Sequence, residues 1–241
     1  MSRVHRGLFA VLGLVLAPRP IVGQAPAAPY RVTWGDAASV ATAGVLYVLP
    51  GALGLPHGAP SCAPCDPATL PGVDRWALRP VSATGDVASD VVLAGVAGFT
   101  AFASLQDLPA QQWHGNFAVL ASAASWTAAS TEWLKVLVRR KRPVLYTSDA
   151  ITAATDPENQ QSLPSLHASL AFAAATSYLV IARRQHLPHR RRNTILLYAG
   201  AVGVAALRVA GGKHFPTDVL AGAALGSGIG WLVPTIHPTQ P

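Results

Sequence analysis

The chain has 241 residues, of which 51% are hydrophobic and 12% charged, with a formal net charge of +7. That charged share is about half the share in soluble domains, and with a mean hydropathy of +0.33 it points to a membrane. A basic balance suits nucleic acid, anionic lipid or a phosphorylated substrate. The cations lie between apolar spans and not on aromatic-bearing soluble structure, which argues against nucleic acid.

Residues 1–23 read as a secretory signal peptide or an N-terminal apolar leader: Arg3, His5 and Arg6 precede an apolar core, Gly7 to Ala17, too short to span a bilayer comfortably. Residues 24–33 form a Pro/Ala linker. The apolar stretch 36–55, broken by Pro50, Gly51 and Gly54, is expected to lie at the interface without spanning. Residues 56–86, with Trp76 in DRWALRP, read as a loop or surface helix, so 24–84 precedes the main domain as linker, interfacial helix and loop. Cys62 and Cys65 have too few ligand neighbours for zinc. They read either as a local disulfide in an oxidising compartment or as residues without function.

From residue 85 to 235 the helical signal is nearly continuous, with apolar runs at 87–106, 115–138, 166–182, 194–208 and 217–233. No period-two strand pattern persists. The expected fold is an all-α bundle of five to six apolar, transmembrane helices, with an active site at one membrane face. Gly222, Gly226 and Gly230 give the last helix a close-packing face. RRQHLPHRRR, 183–192, is the densest cationic run and is assigned to the cytoplasmic side. The end of 115–138, the start of 166–182 and the end of 194–208 then lie outside.

Chemistry-bearing residues collect at those three ends. Lys135 and Arg142 are seven residues apart, so a continuing helix sets them on one face to clamp phosphate oxygens, with Pro143 stopping that helix. Arg139, Arg140 and Lys141 read instead as juxtamembrane cations facing anionic headgroups. In LPSLHA, Ser165 is an N-cap, Leu166 and His167 offer backbone N–H groups to an anion, and His167 can act as a general acid. In RVAGGKHFPTDVLAG, Pro216 opens a helix with Asp218 in its first turn. His214 just before it makes a histidine–carboxylate pair, and the turn at Gly211 and Gly212 lets Arg208 point back to the same spot.

Lys-x6-Arg-Pro, Pro-Ser-x-His and Arg-x5-His-x3-Asp, in this order, resemble the three-part signature of the type 2 phosphatidic acid phosphatase superfamily, which includes lipid phosphatases, bacterial acid phosphatases and vanadium haloperoxidases. The resemblance covers roughly 85–235 and implies a metal-independent phosphatase that needs no cofactor. It implies that His214 is a nucleophile forming a phosphohistidine, that Asp218 orients it, and that His167 protonates the leaving alcohol and then activates water. Lys135, Arg142, Ser165, Leu166 and Arg208 would hold the phosphoryl group. Leu166 stands where the family has glycine and Leu207 where serine precedes the arginine. Leucine adds bulk beside the phosphate and disfavours positive φ, and the missing serine removes a hydrogen bond.

The reading is a membrane enzyme hydrolysing a lipid phosphate monoester or isoprenoid diphosphate, in a bacterial-type cytoplasmic membrane with the site facing out. The alternatives are a soluble periplasmic acid phosphatase, a vanadate-dependent haloperoxidase using the same pocket, and a membrane protein without catalytic activity.

Overall fold

A computed structural model describes residues 29–240; the expected leader, 1–23, lies outside them. Among the described residues the helices are α1 (Trp34–Ala52), α2 (Gly72–Arg75), α3 (Ala83–Leu105), α4 (Trp113–Val138), α5 (Ala150–Ala153), α6 (Leu166–Arg184), α7 (Arg190–Ala210) and α8 (Pro216–Ile236). Apart from one isolated bridge, Tyr30 to Thr239, the described residues hold no β-structure. The six long helices form the bundle.

Four of them, α3, α6, α7 and α8, are long and apolar enough to cross a membrane. They leave large apolar side chains exposed, among them Val91 on α3, Ile195 and Val202 on α7, and Leu220 and Trp231 on α8. Water would penalise that surface and lipid would not. The stretch read as interfacial, 36–55, becomes α1, which packs along α4. It starts where Asp36 Oδ2 accepts from the Thr33 N–H at 2.6 Å and from the Thr33 hydroxyl at 3.0 Å, the carboxylate half of a capping box.

α6 and α8 form the tightest pair, because α8 presents glycine every fourth residue. A Cβ at Gly222 would stand 2.6 Å from the Ser165 carbonyl, at Gly226 1.9 Å from that of Ser169, and at Gly230 2.5 Å from that of Ala173. Backbone cannot retreat as a side chain can. Gly226→Ala therefore trades a helix-propensity gain of about 1 kcal/mol against overpacking that costs about 1–3 kcal/mol or more. A lower thermal midpoint in detergent is the expected result.

Around this pair, Tyr178, Ile181, Leu197, Val204 and Val119 fill the core. α6 is 19 residues long, roughly 28 Å at 1.5 Å per residue. The turn between α6 and α7, with its arginines, therefore sits a full helix length from the start of α6 and the end of α7. At that other end the chain reverses through Gly212, whose φ is +68°. A Cβ there would also lie 2.7 Å from the Pro80 carbonyl, so this turn requires glycine on both grounds. The Gly211 carbonyl accepts from the Ser82 N–H at 3.0 Å, which seats the start of α3 on the turn.

Of the two readings for Cys62 and Cys65, the structure has the disulfide. The Cys65 N–H donates to the Leu145 carbonyl at 2.8 Å, fastening the 56–80 loop to the turn Pro143–Tyr146.

Candidate active site

A cleft of about 570 Å³ opens at the end of the bundle opposite the arginine turn. It is lined by Lys135 from α4, Arg142, Leu166 and His167 from α6, Arg208 from α7, and His214. Six of the eight expected site residues thus share one wall. The other two stand behind it: Ser165 and Asp218 are fully buried. A larger cavity of about 900 Å³ lies at the arginine turn, lined by His186 to Arg192 with Ile195 and Leu196. It holds none of the motif side chains.

Lys135 and Arg142 meet by a different route from the one expected. α4 ends at Val138, and Arg139 is left-handed at φ 50°, so no helix runs on to Arg142. Arg142 is extended, φ −74° and ψ 159°. Its N–H donates to the Asn159 carbonyl at 2.8 Å, and Ser162 N–H donates to the Arg140 carbonyl at 2.8 Å. Chain reversal and these cross-links bring Arg142 back over Lys135; a shared helix face does not.

Ser165 is the N-cap residue of α6, but its hydroxyl makes no capping bond. Its Oγ is buried without a partner, as are Nε of Arg142 and Nε of Arg208. Buried polar atoms ordinarily find partners, and these three flank one cleft. Leu166 is not left-handed, so the leucine costs no backbone strain at this position. The missing serine before Arg208 is offset from another helix, since Arg208 Nη1 donates to Ser89 Oγ of α3 at 3.1 Å.

His214 is 2% exposed. Its Nδ1 lies 2.8 Å from the Ser162 carbonyl. A carbonyl only accepts, so Nδ1 carries the proton and Nε2 is the lone-pair nitrogen of the neutral ring. Asp218 is not its direct hydrogen-bond partner: the Nδ1 to Oδ2 distance is 3.7 Å. Instead Asp218 Oδ2 accepts from Ser162 Oγ at 2.6 Å and from the Phe215 N–H at 2.8 Å. The aspartate shapes the loop that offers its carbonyl to the histidine.

Burial, and after it the nearby Arg142, Arg208 and Lys135, hold the His214 imidazolium well below the usual histidine range. The folded chain then carries a neutral ring at pH 7. In the unfolded chain the ring titrates near about 6.5. The unfolded state therefore binds the extra proton first, and stability falls as pH drops below that value toward the folded pKa. Acidifying from pH 7 to 5 should lower the thermal midpoint of the wild type more than that of His214→Ala.

Lys135, Arg142, His167 and Arg208 each meet a carboxylate that the motifs do not contain. Lys135 Nζ is 2.7 Å from Glu132, Arg142 3.1 Å from Glu158, and His167 Nε2 2.6 Å from Asp90. Asp86 pairs with Arg208 and, at 2.8 Å, with Lys213. Only Glu132, three residues before Lys135 on a helix, carried a local signal. Asp86 and Asp90 are more than 70 residues from their partners, and no spacing rule reaches them.

The juxtamembrane reading is corrected for Arg140, while Arg139 stays exposed and fastens neighbouring loops. Arg139 donates to the His57 carbonyl at 2.8 Å and to Gln160 Oε1 at 3.1 Å. Arg140 turns inward, 2.6 Å from Asp74 and 2.5 Å from Asp218. Two buried carboxylates draw the guanidinium more strongly than headgroups could.

Decaprenylphosphoryl-5-phosphoribose phosphatase of Mycobacterium tuberculosis, from strains CDC 1551 / Oshkosh and ATCC 25618 / H37Rv alike, is 34% identical over 119 residues, which is 49% of this chain. The chain spans 60% of the length of these curated relatives. No solved structure matches. The model of the PAP2 superfamily matches residues 115–241, the stretch that holds Lys135, Arg142, His167, Arg208 and His214, and the chain belongs to that superfamily.

Proposed function

We propose that this protein is a membrane phosphatase that removes a phosphoryl group from a lipid-linked substrate through a histidine intermediate. The carrying observation is His214: its Nδ1 proton is committed to the Ser162 carbonyl, its Nε2 carries the free lone pair, and Lys135, Arg142, Arg208 and Lys213 line the same cleft.

Nε2 attacks phosphorus and the P–O bond to the leaving alcohol breaks. The alcohol oxygen takes its proton from His167, which lines the same cleft. The phosphoryl oxygens lie among Lys135, Arg142 and Arg208, with further donors in Ser165 Oγ and the N–H groups at the start of α6. Asp218, 3.7 Å from Nδ1, stabilises the positive charge that the ring gains. Water then attacks phosphorus, His167 takes its proton, and the P–N bond breaks to release phosphate and restore His214. Each carboxylate on the cleft already has a basic partner, Lys135, Arg142, Arg208 or the ring of His167, which supports charge stabilisation by side chains.

The M. tuberculosis relative's name supports an isoprenoid-linked phosphate as substrate. The apolar exposed helices support a lipid substrate over a soluble ester. The positive run Arg183–Arg192 at the opposite end supports an outward-facing site. The expected result is phosphate release from an isoprenyl-linked sugar phosphate or an isoprenoid diphosphate in EDTA, measured beside phosphatidate and phosphatidylglycerophosphate. Turnover that collapses in EDTA would contradict the mechanism. Activity confined to a soluble fraction would contradict the membrane assignment.

A further inference from the structure

Arg140 reaches the nucleophile's segment from four directions. Nη1 donates to Thr217 Oγ1 and to Asp218 Oδ1, both at 2.5 Å, and Nη2 donates to Asp74 Oδ2 at 2.6 Å. Its guanidinium stacks over the Phe215 ring at 4.7 Å, and Tyr146 packs against the same ring edge-on at 5.8 Å. The backbone takes part too: the Arg140 carbonyl holds the Ser162 N–H, and Ser162 bonds both His214 and Asp218.

Asp74, in the short helix α2 of the 56–86 loop, completes the arrangement. It accepts from the Thr217 N–H at 3.1 Å and from Thr217 Oγ1 at 2.7 Å. The Thr217 N–H is one of the first-turn donors of α8 that no helical carbonyl can satisfy. A carboxylate at a helix N-terminus is also favoured by the helix dipole. Asp74 and Asp218 are both 0% exposed, so two buried negative charges share one guanidinium. Only a planar fork spans both; a lysine ammonium is a single point. Removing the shared cation would leave two uncompensated buried charges beside the nucleophile.

We propose that Arg140 and Asp74 are positioning residues: a clamp, closed by the 56–86 loop, that fixes residues 215–218 and through Asp218 and Ser162 sets the aim of His214. This rests on the phosphatase reading above. Neither residue lines the cleft, so neither is assigned contact with substrate.

The test uses the full chain in detergent, with Arg140→Gln, Arg140→Lys and Asp74→Asn made alone and in an Asp218→Asn background. Turnover and amide hydrogen exchange over residues 213–220 are read together. Arg140→Gln should lower kcat about 100-fold, the scale of a nucleophile displaced by an ångström, with KM unchanged because the phosphate cations are intact. Arg140→Lys should recover part of the loss. Exchange over 213–220 should rise in both Arg140→Gln and Asp74→Asn. In the Asp218→Asn background Arg140→Gln should add little, since residues acting as one unit are not additive; a purely structural role would multiply the losses.

Unchanged exchange in the variants would overturn the clamp, and so would raised exchange with unchanged kcat. If Arg140→Gln does not fold, Asp74→Asn carries the same measurements, since it removes one charge and keeps the side-chain shape. A wild type that turns over no faster than His214→Ala would remove the phosphatase reading itself, while the exchange data would still decide whether the clamp exists.

Discussion

Replacing His214 with alanine should abolish phosphate release, a loss of roughly 10⁴-fold or more, as for other nucleophile deletions. The side chain is 2% exposed, and alanine removes the ring nitrogen that attacks phosphorus. The cations remain in the variant, and inorganic phosphate should still bind as a competitive ligand. That separates loss of chemistry from loss of the pocket. Wild-type protein quenched during turnover should carry phosphate on a histidine, stable in alkali and released in acid, and His214→Ala should carry none. Phosphate release by His214→Ala at the wild-type rate would end the assignment of His214 as nucleophile.

The second large effect belongs to His167. Removing a general acid costs about 10²–10⁴-fold, so His167→Ala should lower kcat by that amount on a lipid phosphate, whose alkoxide cannot leave unprotonated. A p-nitrophenyl ester needs no such proton, because its phenolate is a good leaving group. With that substrate the first step should survive in His167→Ala while the second, which needs a base for water, stays slow. The expected trace is a burst of nitrophenolate equal to the enzyme present, followed by slow turnover. An equal loss with both substrates and no burst would assign His167 to binding. Its 2.6 Å contact with Asp90 gives a companion measurement: Asp90→Asn should shift the pH dependence of the protonation step and leave the nitrophenyl burst in place.

Much of the site was legible because it is written in short-range signals. Pro216 starts α8 and puts Asp218 in its first turn. Ser165 precedes α6 and puts His167 in the first turn there. Both follow from the fixed φ of proline and the preference for serine before a helix. The bundle itself was legible from apolar runs of membrane length. Lys135 and Arg142 line one cleft, but not by the route expected: seven-residue spacing suggested a helix face, whereas the helix ends at Val138 and a left-handed Arg139 turns the chain back. Whether an arginine terminates a helix in that way depends on what waits for its side chain, here the His57 carbonyl and Gln160.

What the sequence determined on its own is therefore the inventory: an all-α apolar chain, three motif segments at matching helix ends, and the histidines and cations that suit phosphoryl chemistry. Local propensity and periodicity act over three to seven residues and survive any packing. The tertiary structure decided the partnerships. Ser162, not Asp218, receives the Nδ1 proton of His214; Asp90 meets His167; Asp86 meets Arg208; and Arg140 joins Asp74 to Asp218. All of these pairs are separated by 52 to 122 residues. A buried charge must find a counter-charge wherever the fold brings one within reach, and that neighbour is set by packing across the bundle, not by position along the chain.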